Sequence, residues 1–65
     1  MKVNWAEARS QLTSLSYEDQ RIVDMLAEGM TMPGIGKALG QHRSMIWRKI
    51  KKIRARLKAL DQPAP

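Results

Sequence analysis

The stretch Thr31-Met32-Pro33-Gly34-Ile35-Gly36-Lys37-Ala38-Leu39-Gly40-Gln41-His42-Arg43-Ser44-Met45-Ile46-Trp47-Arg48 decides the fold. Thr31 is a suitable helix N-cap, because its hydroxyl can accept a first-turn amide that has no partner inside the helix. Pro33 then falls in that first turn, where a missing N–H loses no intrahelical bond. Ile35, Ala38 and Leu39 supply a buried side. Gly40 ends the element, since glycine reaches the left-handed conformation of a helix C-cap without strain. A new helical pattern begins at Arg43. The stretch therefore reads as a short helix, a turn of about three residues and a longer helix, with Ile35, Leu39, Ile46 and Ile50 as the small core between them.

The pattern continues in both directions. Toward the C-terminus, Ile46, Ile50, Ile53, Leu57 and Leu60 recur at spacings of four, three, four and three, one continuous stripe that carries the last helix over about 43–60. Asp61-Gln62-Pro63-Ala64-Pro65 does not continue it, and 61–65 is expected to be a frayed tail. Toward the N-terminus, Asn4 with Glu7 forms a capping box for a helix over about 5–13, whose apolar face is Trp5, Ala8, Leu12 and Leu15. Ser16 with Asp19 opens a helix over about 17–28 that carries Ile22, Val23, Met25, Leu26 and Met30, with Gly29 as its stop. The third helix is expected over 32–39. Met25, Met30, Met32 and Met45 are expected to fill gaps in the core. No strand pattern and no repeat is evident. The expectation is an all-α, four-helix domain over 1–60.

A chain of 65 residues holds one domain, and a domain this small buries only about 60% of the surface its unfolded chain exposes. It has no cysteine to staple it. With a single histidine there is no Cys/His cluster for a structural metal, so helix packing, alone or with a partner subunit, must hold it together. The segment Met1-Lys2-Val3-Asn4-Trp5 has no apolar run of the signal-peptide kind, and no stretch approaches the roughly 20 apolar residues of a membrane span. The expected location is the cytoplasm.

The net charge of +6 is unevenly spread. Residues 1–40 set four cations (Lys2, Arg9, Arg21, Lys37) against five carboxylates (Glu7, Glu18, Asp19, Asp24, Glu28). Residues 41–65 set eight cations (Arg43, Arg48, Lys49, Lys51, Lys52, Arg54, Arg56, Lys58) against Asp61 alone. Lysine-rich surfaces that serve only solubility usually mix the two signs. A segregated basic helix points instead to a polyanion.

Ile35 to Arg48 resembles the helix-turn-helix of bacterial and phage transcription regulators. The run from Leu39 to Lys52 is similar to the C-terminal DNA-binding helices of the Fis and NtrC families. The longer layout from Leu15 to Leu60 also resembles the promoter-reading domains of sigma factors and LuxR-type regulators. The resemblance covers about two thirds of the chain. It implies that the last helix enters a major groove while the short one braces it. Two positions depart from the pattern. Gly36 stands where alanine is commonest; it still permits close helix approach, at a cost of roughly 1 kcal/mol in helix stability. Gln41 occupies a turn position that is usually apolar, which predicts a less well anchored turn.

With the Ile stripe inward, Ser44, Arg48, Lys51, Lys52, Ala55 and Lys58 fall on or near the opposite face, at about 100° per residue. By matching positions, the resemblance implies that His42, Arg43, Ser44, Trp47, Arg48 and Lys51 meet base edges. Arg43 or Arg48 suits a bidentate contact to guanine O6 and N7. Lys52 and Lys58 suit phosphates, as do the first-turn amides near Thr31. Each assignment has a plainer structural alternative. Trp47 can pack at the edge of the core, His42 can cap the last helix, and Lys58 can complement its C-terminal dipole.

Other function classes fit less well. The carboxylates are scattered, which argues against an enzyme. Gly34-Ile35-Gly36-Lys37 lacks the earlier glycine, the following Ser/Thr and the preceding strand of a phosphate loop. No cofactor or metal is expected. The leading function is sequence-specific binding of double-stranded DNA, as a transcriptional regulator or repressor. The alternative is a degenerate helix-turn-helix that binds a protein of the transcription machinery as an inhibitor or anti-activator. One short reading helix supplies little contact, so a homodimer on an inverted repeat is expected, with half-sites about 34–36 Å apart or a multiple of that. Trp5, Leu12, Leu57 and Leu60 form either its seam or the closure of the first helix onto the fourth within one chain.

Overall fold

The computed structural model describes residues 3–61, with side chains for 3–60. Four helices follow in order: α1 Trp5–Gln11, α2 Tyr17–Ala27, α3 Met32–Leu39 and α4 Arg43–Asp61. No strand occurs among the described residues, and the domain is all-α.

All three N-caps read from the sequence form. The Asn4 side chain accepts from the Glu7 amide at 3.2 Å, Ser16 Oγ from Asp19 at 3.2 Å, and Thr31 Oγ1 from Gly34 at 3.3 Å. Both glycine stops are also present, with Gly29 at φ +87° and Gly40 at φ +69°. After α2 the Gly29 amide bonds to Leu26 O and the Met30 amide to Met25 O. After α3 the Gly40 amide bonds to Lys37 O and the Gln41 amide to Gly36 O. Each is the pair of bonds of a Schellman motif, which satisfies carbonyls that the helix end leaves over.

Three boundaries differ from expectation. α1 stops at Gln11 rather than 13, because Leu12 turns to extended backbone (φ −96°, ψ 99°). Thr13 and Ser14, both weak helix formers, do not reverse that turn. α2 stops at Ala27, with Glu28 as its cap. α4 includes Asp61, one residue beyond the expected end at 60; residues 62–65 of the expected tail lie outside the described part.

α1 packs chiefly on α2 and α3 on α4, and α2 meets α4 between the two pairs. The shared core is Ala8, Leu12, Leu15, Ile22, Val23, Ile35, Ile46, Ile50, Ile53 and Leu57, with no buried polar side chain among the described residues. α4, about 28 Å long at 1.5 Å per residue, contributes four of these from one face. The apolar spacing of four, three and four therefore sets the rotation of α4 about its axis, as the sequence implied.

Some core assignments need correction. Met25 and Met30 pack against the core, but Met32 and Met45 are exposed. Met45 precedes the buried Ile46 and so points about 100° away from it. Ala38 is exposed, and Gly36 takes its place beside Ile35 on the buried side of α3. Leu12 and Leu57 are buried within the chain's own core. Trp5 is partly buried against that core, and Leu60 is 58% exposed.

Candidate nucleic-acid interface

The connection between α3 and α4 consists of Gly40, Gln41 and His42. Because the chain reverses at Gly40, the Gln41 amide bonds back to Gly36 O at 2.8 Å. His42 then starts α4. Its carbonyl accepts from the Met45 and Ile46 amides, and its Nδ1 accepts from the Ser44 amide at 3.1 Å. Ser44 Oγ lies 2.8 Å from the same Nδ1. His42 is thus a side-chain cap on α4, and Ser44 is tied to it.

The outer face of α4 carries the remaining candidate contacts. Arg43, Arg48, Lys51, Lys52 and Lys58 are all exposed; the last four lie on the flanks and back of the helix relative to the buried Ile46, Ile50, Ile53 and Leu57, whereas Arg43, three residues before Ile46, is on the side of the stripe and is open at the start of the helix. Trp47 is 50% exposed, so its ring is not absorbed by the core. Lys51 Nζ stands 5.0 Å from the centre of the Trp47 ring, one helical turn away, within cation–π range. Thr31, at the start of α3, is exposed, and its hydroxyl is engaged as the N-cap.

Two of the basic residues of α4 face the body of the protein. Lys49 Nζ pairs with Glu18 of α2 and donates to Gln41 Oε1 at 3.0 Å. Gln41 Nε2 in turn donates to Glu18 Oε1 at 2.8 Å. The Gln41 amide serves as acceptor for one charge and donor to the other, which an apolar residue at this position could not do. The expected loosening of the turn is therefore not what the geometry shows: Gln41 anchors the turn to α2 and α4 together. The Arg56 guanidinium donates to Ser14 O, between α1 and α2, at 3.5 Å.

The three-residue network was not read from the sequence. Glu18 lies 23 residues before Gln41 and 31 before Lys49, beyond the reach of any periodicity. One signal was present, however. Lys49 immediately precedes the buried Ile50 and follows Ile46 by three, which places it at the edge of the stripe rather than on the outer face.

Elsewhere the surface offers little chemistry. An open groove between α1 and α2 is lined by Ala6, Arg9, Asp24, Ala27 and Glu28, and Arg9 pairs with Asp24 across it. Among the described residues no group of three or more His, Cys, Asp or Glu side chains converges. No helix among them is long and apolar enough to cross a membrane. No family model, curated protein or solved structure matches the chain.

Proposed function

We propose that this domain binds double-stranded DNA, with α4 as the reading helix and α3 bracing it, in the manner of a helix-turn-helix regulator. The observation that carries the reading is the outer face of α4. Arg48, Lys51, Lys52 and Lys58 stand exposed on the sides turned away from the buried Ile46, Ile50, Ile53 and Leu57, and Arg43 is exposed in the first turn. The helix follows a three-residue turn led by a left-handed glycine. A major groove is wide enough to admit such a helix. Its walls are phosphates, which the lysines match without regard to sequence.

Within this reading the residues divide by chemistry. Arg43, in the first turn of α4, and Arg48 suit guanine edges. Trp47 offers an apolar ring beside them, suited to a thymine methyl. Lys51, Lys52 and Lys58 suit phosphates. His42 and Ser44, tied to each other, shape the start of the helix more than they read bases. A homodimer on an inverted repeat remains part of the proposal, and Trp5 and Leu60 are the seam residues with surface left to contribute.

The test is binding to duplex as a function of salt. Affinity should fall with a log–log slope of about −0.9 per phosphate contacted. Lys52→Ala should weaken all sequences alike and flatten that slope by about 0.9. Arg43→Ala should relax sequence preference, with about 1–3 kcal/mol of discrimination lost at one base pair. The exposure of Trp47 and Met45 beside the cations favours one second reading, a domain that binds a transcription protein through this same face. Failure to bind either genomic or random duplex at low salt would decide for it.

A further inference from the structure

We propose that Glu18 is a positioning residue: by holding Lys49 and Gln41 together it sets how α4 stands against α2, and it withdraws Lys49 from the charges that meet a polyanion. The binding arm of this proposal rests on the DNA reading above, whereas its structural arm does not.

Three elements meet at this point. Glu18 sits in the first turn of α2, Gln41 in the turn between α3 and α4, and Lys49 in the second turn of α4. Each touches the other two: Glu18 with Gln41 at 2.8 Å, Gln41 with Lys49 at 3.0 Å, and Lys49 with Glu18 as an ion pair. The Lys49 side chain is only 26% exposed and that of Glu18 42%. An ion pair this open adds little to stability by itself. A closed triangle of contacts from three elements does something else, because it admits one relative placement of those elements. The apolar core fixes the rotation of α4 about its axis but resists sliding less well, since Ile and Leu contacts are not directional. Hydrogen bonds are directional, and these three stand at the end of α4 that carries Arg43 and Trp47.

The consequence for charge is specific. Lys49 lies in the same basic helix as Lys51 and Lys52, yet its ammonium is turned to α2. It should therefore add nothing to counterion release on binding, while Lys51 and Lys52 should.

The experiment compares the wild-type chain with Lys49→Met, Glu18→Lys and the double swap Glu18→Lys/Lys49→Glu. Each is measured for thermal unfolding without DNA and for affinity to a random-sequence duplex across a salt series. Lys49→Met keeps the aliphatic stem, so the chain retains its packing if the swap folds poorly. The expected result is that Lys49→Met lowers affinity by up to about tenfold with the salt slope unchanged. Glu18→Lys, which sets two ammonium groups together, should lower the melting temperature. The swap should restore it, because the Gln41 amide needs only to turn over to serve the reversed pair, and should bring affinity to within about threefold of wild type. A slope flattened by about 0.9 in Lys49→Met would make Lys49 a direct phosphate contact and overturn the proposal. So would a swap no more stable than Glu18→Lys alone. If the wild-type chain binds no duplex, the DNA reading fails by itself and the melting comparison decides the positioning role.

Discussion

Gly36→Ala should destabilise the domain by about 2 kcal/mol, lowering its melting temperature by roughly 10 °C. Helix propensity alone predicts the reverse, because alanine in a helix gains about 1 kcal/mol over glycine. Space decides the sign. A Cβ at Gly36 would stand 2.5 Å from the Gln41 carbonyl oxygen and 3.4 Å from the Arg43 nitrogen. The nearer atom is backbone and is held in place, since the Gln41 amide is itself bonded to Gly36 O at 2.8 Å. Relief requires the turn to move away from α3, which stretches that bond and the Gln41 contacts to Glu18 and Lys49. Gly34 is the control. A Cβ there would meet Thr31 Oγ1 at 3.3 Å, which needs a shift of only a few tenths of an ångström in the cap, and a Met30 methyl at 3.8 Å, an ordinary contact. Gly34→Ala should therefore leave stability within about 1 kcal/mol of wild type. Thermal melts of the two variants side by side check the argument, and equal melting temperatures would contradict it.

Ile46→Ala should cost about 2–5 kcal/mol, the range for removing a fully buried aliphatic side chain without collapse of the site. Ile46 has no exposed surface, and neither has Ile35 in α3. For a chain of this length the whole folding free energy is about 3–10 kcal/mol, so one such cavity removes a large part of it. Denaturant unfolding should show the midpoint falling sharply while the dependence on denaturant stays unchanged. Leu60→Ala should leave the midpoint almost where it was. Leu60 continues the same spacing but is 58% exposed, because the stripe outruns the body of the domain. Similar losses for both variants would mean that the stripe is not divided in this way.

The helices were legible because their signals are local. Asn4, Ser16 and Thr31 cap, Gly29 and Gly40 stop, and the Ile/Leu spacing of α4 states which face is buried. The end of α1 was not legible, because the burial of Leu12 on extended backbone, and of Leu15 beyond the helix, depends on what lies beneath them. Gly36 and Gln41 show the limit most clearly. Against a helical pattern Gln41 reads as a weakness, and Gly36 as a cost in helix stability that permits a close approach without saying to what. In three dimensions Gly36 makes room for the returning carbonyl of Gln41, and the Gln41 side chain ties that turn to Glu18 and Lys49. Both roles are set by residues that approach only once the chain has reversed at Gly40. The outer cations of α4 followed from the stripe by elimination. Lys49 did not, since its partner stands on another helix.

Whether the outer face of α4 is a DNA surface is read from amide shifts of the isotope-labelled chain titrated with duplex. Binding through this face should give shifts concentrated between Gly40 and Lys58, including Arg43, Trp47, Arg48 and Lys51, reversed by added salt, with α1 unmoved. Absence of shifts with any duplex at low salt, or shifts centred on the Arg9–Asp24 groove between α1 and α2, would contradict it.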